Sequence, residues 1–81
     1  MPRYGVKTSL SPEDVIEAAE RYFGADGLEM DREETGACCA YFQGGGGFVR
    51  VTAGEEGGQT TVDLETREWD YHVRQFMEEI G

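Results

Sequence analysis

Four consecutive glycines, Gly44 to Gly47, join two extended apolar runs, and this stretch sets what the chain can fold into. Upstream, Ala37-Cys38-Cys39-Ala40-Tyr41-Phe42 is apolar at every position. A strand with one wet face alternates, so this run reads as a central strand covered, or partly covered, on both faces. Downstream, Phe48-Val49-Arg50-Val51-Thr52-Ala53 does alternate: Val49, Val51 and Ala53 fall on one side, Phe48, Arg50 and Thr52 on the other. That is a half-buried strand. Glycine reaches the positive φ values that a tight reversal needs, so the pair is expected to form a β-hairpin and seed a sheet.

Tyr4 to Leu10 alternates and carries Lys7, as an edge strand does. Ser11-Pro12-Glu13-Asp14 starts a helix: Ser11 can cap it, Pro12 suits its first position, and Asp14 can complete a capping box. Val15, Ile16, Ala19, Tyr22 and Phe23 make one apolar stripe, with Glu17 and Arg21 paired on the wet side, and Gly24 and then Gly27 end the helix. Leu28 to Glu33 reads as a half-exposed strand, turned by Glu34-Thr35-Gly36 into the central one. Glu55-Glu56-Gly57-Gly58 is a further turn, and Thr60 to Glu65 a strand with Val62 and Leu64 inward. The final segment, Arg67 to Ile80, is a helix with the stripe Trp69, Val73, Phe76, Met77 and Ile80. Thr66 is its expected cap, and Asp70–Arg74 and Arg74–Glu78 are its expected ion pairs.

The expected order is β-α-β-β-β-β-α over a single domain, residues 1–81. Short turns between consecutive strands give an antiparallel sheet, and each helix has one apolar stripe, so both lie on the same face. The fold class is α+β, a two-layer sandwich. This element order resembles one half of the TATA-box-binding protein fold and, more loosely, a shortened helix-grip domain. The resemblance implies an architecture and no activity.

Charge narrows the function classes. Seven Lys and Arg stand against seventeen Asp and Glu, a net −10. Nucleic-acid affinity rests on neutralising phosphates with basic residues, and anionic membranes select the same residues, so neither is an expected partner. No apolar run approaches the roughly 20 residues that span a bilayer, and the N-terminus lacks a charged-then-apolar signal segment. The expectation is a soluble cytoplasmic protein. Cys38 and Cys39 are adjacent in the central run, where strand alternation would point them to opposite faces, so reduced thiols are expected.

No constellation announces catalysis. A phosphate-cradling loop leads into a helix, whereas Gly44–Gly47 leads into a strand. Zinc at Cys38 and Cys39 would need further ligands, and His72 is the only histidine. His72 with a strand carboxylate could do acid–base work, but a plain helix histidine fits better. Glu29, Asp31, Glu33, Asp63 and Glu65 follow strand alternation and read as a solvated face. No catalytic, metal or cofactor-binding residue is assigned. The feature that stands out is the second apolar face of the central strand, Tyr41 and Cys39 or Phe42, Ala40 and Cys38 according to register, beside Phe48. Tyr41, Phe42, Phe48, Arg50, Trp69 and His72 are therefore the candidates for an interface or ligand surface. The reading is a non-catalytic interaction module that forms a homodimer or binds a protein partner through its open sheet face. The alternative is a small molecule in the groove between sheet and C-terminal helix, near Trp69, His72 and Tyr41.

Overall fold

The computed structural model describes residues 3–33 and 38–81. The turn expected at Glu34-Thr35-Gly36, and Ala37, lie outside the described residues. Strand β1 is Arg3–Thr8, helix α1 Pro12–Phe23, then β2 Asp31–Glu33, β3 Cys39–Gly44, β4 Gly47–Glu56, β5 Gln59–Arg67 and helix α2 Asp70–Ile80. The strands form one antiparallel sheet in the order β1-β5-β4-β3-β2. Both helices contribute buried residues to a core on one face of it: Val15, Ile16, Ala19 and Phe23 from α1, and Val73, Phe76 and Ile80 from α2. The fold is the α+β two-layer arrangement read from the sequence.

Local chemistry explains most boundaries. Ser11 caps α1, its Oγ accepting from the Asp14 backbone N–H at 3.1 Å, with Pro12 in the first turn. The chain leaves α1 through a run of backbone bonds: Leu28 N–H to the Tyr22 carbonyl, Glu29 N–H to that of Gly24, and Met30 N–H to that of Phe23. A Cβ at Gly27 would lie 2.1 Å from the Tyr22 carbonyl oxygen, so only glycine allows this close return. Leu28–Met30 thus closes the helix end instead of extending β2, which is why that strand is three residues long rather than the six expected.

The glycine run makes the hairpin. Gly45 and Gly46 are its two loop residues, both at positive φ (55° and 79°), and Gly44 pairs with Gly47. Two positive φ values in a two-residue loop twist with the flanking strands and hold them in register. A second hairpin, with Gly57 and Gly58 at φ 58° and 82°, joins β4 to β5.

Three expectations about local structure are corrected. Thr66 does not cap α2: it is a buried β5 residue whose hydroxyl donates to the Phe48 carbonyl at 2.7 Å. β5 continues to Arg67, and α2 starts after Trp69 with no side-chain cap. The α2 ion pairs do not form among the described residues, and Asp70 instead accepts a 2.7 Å hydrogen bond from the Tyr4 hydroxyl on β1. Finally, Cys38 and Cys39 are joined as a disulfide, with Cα atoms 3.8 Å apart. Strand alternation was expected to keep the thiols apart. It does not apply to Cys38, which sits in a turn ahead of β3.

Candidate functional site

Register decides which side of β3 faces out. Because the loop is two residues long, Gln43 lies opposite Phe48, Phe42 opposite Val49, Tyr41 opposite Arg50 and Ala40 opposite Val51. Directly opposed residues share a face, so β4's buried Val49 and Val51 carry Phe42 and Ala40 into the core with them. Phe42 has no exposed surface, and its ring packs 5.6 Å from Phe23 on α1. Tyr41 and Cys39 therefore face away from the helices.

On that open face the five strands line up a row of directly opposed residues: Arg3, Glu65, Arg50, Tyr41 and Glu33, from β1 to β2. Arg50 Nη1 lies 3.0 Å from Glu65 Oε1, and Arg3 Nε 3.7 Å from Glu65 Oε2. The Arg50 guanidinium sits 5.3 Å from the centre of the Tyr41 ring, a cation–π contact. Tyr41 in turn stacks on Phe48 at 5.7 Å, with 28° between the ring planes. These ion pairs are exposed and individually worth about 0–1 kcal/mol, so what they fix is side-chain position rather than stability. Beside them a shallow depression of ≈ 420 Å³ is bounded by Asp31, Tyr41, Gln43, Phe48 and Arg67.

The six sequence candidates thus split into three places. Tyr41, Phe48 and Arg50 share the open face; Phe42 is core. Trp69 and His72 stand at the start of α2, on the helix side. The Trp69 indole N–H donates to the Gly44 carbonyl at 2.9 Å, and the His72 ring touches Trp69 at 5.6 Å and Tyr71 at 5.3 Å. Tyr41 is consequently on the opposite side of the sheet from Trp69 and His72, and the three do not line one groove. A hollow of ≈ 250 Å³ on the helix side lies between α1 and α2, lined by Leu10, Ala18, Tyr22, Phe76 and Ile80 with Arg21 and Glu79 at its edge. His72 forms no ion pair among the described residues.

The expected acidic face is present in part. Asp31, Glu33, Asp63 and Glu65 take open-face register positions, whereas Glu29 is off the sheet at φ 59°. Sequence reasoning missed that further cations are there: Arg3 and Arg67 join Arg50 and Lys7. The signal was available in the odd-numbered positions of the first strand and the extra length of the fifth. Arg32, by contrast, points to the helix side and pairs with Glu20 of α1. Among the described residues no group of three His, Cys, Asp or Glu is placed to hold a metal ion, and no helix is long and apolar enough to cross a membrane. Comparison with known proteins finds no matching family model and no curated protein or solved structure that matches significantly.

Proposed function

We propose that this protein is a non-catalytic, cytoplasmic interaction module that associates through its open sheet face, with a second copy of itself as the partner. The observation that carries the reading is the Tyr41–Phe48 stack with Arg50 over Tyr41, on the face that neither helix covers. Aromatic and arginine side chains are enriched among the residues that dominate protein contact energies, the aromatics because each buries a large area while fixing only two side-chain torsions. Their neighbours hold them in place before any partner arrives, which lowers the entropy cost of association. The Cys38–Cys39 disulfide links adjacent residues and braces no two elements, unlike the frameworks of small secreted domains.

Sedimentation equilibrium of the unaltered protein, Tyr41→Ser and Phe48→Ser tests this. The expected result is a concentration-dependent mass for the unaltered protein that shifts towards monomer in both variants, with melting temperatures within a few degrees of one another. Association equally strong in all three proteins would place the contact elsewhere.

A further inference from the structure

The open face differs in charge from the rest of the molecule. Four of the seven basic residues (Arg3, Lys7, Arg50, Arg67) stand on it against five carboxylates (Asp31, Glu33, Glu56, Asp63, Glu65), so among the described residues, which carry −9, only −1 belongs to this face and −8 lies elsewhere. The rest of the described surface carries the larger share of the negative charge, which opposes close approach of two copies there. This is the side on which like molecules can meet.

The charges on it are also ordered. Arg3 and Lys7 occupy the edge strand β1 with no carboxylate beside them on that strand, β5 next to it carries Arg67 with Asp63 and Glu65, and Asp31 and Glu33 occupy β2 at the far edge. The central row begins with the cation Arg3 and ends with the anion Glu33; the next begins with Arg67 and ends with Asp31. One edge of the face is basic, the other acidic. β4 is the middle strand of the five and carries Phe48.

Resting on the reading of this face as the contact surface, we propose a specific way for the second copy to dock. The two sheets stack face to face about a two-fold axis parallel to the strands and running along β4. That rotation lays the basic β1 edge of each copy on the acidic β2 edge of the other and sets Arg3 against Glu33 of the second copy, twice by symmetry. The competing two-fold, perpendicular to the strands, would lay β1 on β1 and oppose like charges. Face-to-face sheets keep their strand lines within roughly 30°, which either axis satisfies, so the charge order decides between them. The Phe48 side chains of the two copies then meet at the axis. Arg50 also approaches its counterpart, with its charge matched by Glu65 at 3.0 Å.

The docking mode is tested by charge reversal and mixing, read by sedimentation velocity at fixed total concentration. Arg3→Glu alone makes both symmetric contacts acidic, and Glu33→Arg alone makes both basic. Each should weaken self-association about tenfold or more. An equimolar mixture of the two variants forms only complementary pairs across the interface and should recover association to within about threefold of the unaltered protein. Circular dichroism of each variant checks that these exposed substitutions leave the fold intact. If Phe48→Ser disrupts association but the charge variants do not, or their mixture stays dissociated, the docking mode is overturned and the face stands. If neither Phe48→Ser nor charge reversal has an effect, the face itself is the wrong surface. A monomer at every concentration overturns both.

Discussion

Trp69 donates its indole N–H to the Gly44 carbonyl at 2.9 Å, tying the start of α2 to the tip of the β3–β4 hairpin. The same ring occupies the space beside Gly45, where an added Cβ would lie 3.2 Å from the indole, whereas nothing lies within 4 Å of one at Gly46. Both glycines sit at positive φ, so alanine at either costs about 1–2 kcal/mol of backbone strain. Gly45→Ala must also displace the indole. It is expected to be more destabilising than Gly46→Ala in denaturant unfolding, and Trp69→Phe, which leaves the Gly44 carbonyl without this donor, should cost about 1 kcal/mol. Equal costs for the two glycine variants would show that the indole does not constrain the turn.

Phe76 is the core residue through which α2 reaches α1. It is 1% exposed, with its ring 5.4 Å from Phe23 and 5.7 Å from Tyr22. Phe76→Ala should lower stability by about 3–5 kcal/mol, the usual cost of a phenyl-sized cavity. For a chain this short that is a large share of the total. Thermal unfolding within a few degrees of the unaltered protein would make α2 peripheral.

The element order was legible because its signals are local. Ser11-Pro12 and Gly24 mark the ends of α1, and the glycine pairs mark both hairpins. The side of β3 that faces out was not read, because both sides of that strand are apolar and periodicity is silent there. A two-residue Gly45-Gly46 loop would have settled it, since it alone places Phe42 opposite Val49 and Tyr41 opposite Arg50. Thr66 and Leu28–Met30 were misjudged for a different reason. Whether a threonine caps a helix or a short apolar run pairs as a strand depends on tertiary hydrogen bonds, here to Phe48 and to the end of α1.

Alkaline pH should expose the bond between β1 and α2. Tyr4 has a pKa raised above the ordinary 10.0, first by its hydrogen bond to Asp70, then by burial and the Asp70 charge, with Arg74 opposing. Tyr22 is also raised, by burial and then by Glu79. A raised folded-state pKa means the native state holds its protons longer than the unfolded chain. The stabilisation is therefore complete below about pH 10 and falls as pH rises through the folded values. Tyr4→Phe should flatten part of that decline in pH-dependent unfolding. An unchanged slope would mean that the phenol contributes nothing.

The Cys38–Cys39 disulfide closes the smallest loop two residues can make. Loop-closure entropy grows with loop length, so its contribution to stability is about 1 kcal/mol. Cys38→Ser should shift unfolding by no more than that and leave the open face assembled. A loss of several kcal/mol would assign the disulfide a structural role that its position does not suggest.

Salt should separate long-range repulsion from contact chemistry. Copies carrying −10 repel at low ionic strength, and the screening length shrinks from about 30 Å at 0.01 M to about 8 Å at 0.15 M. Self-association is expected to strengthen over that range. Weakening over the same range would mean that exposed ion pairs, rather than the aromatic stack, hold the copies together.

The most direct test of the open face as the contact surface is a dilution series followed by amide chemical shifts. The predicted concentration-dependent shifts cluster at Tyr41, Phe48, Arg50 and Glu65, while the solvent-facing side of α1, including Glu17 and Arg21, stays constant. Shifts confined to the helices, or none over the accessible range, would contradict the account.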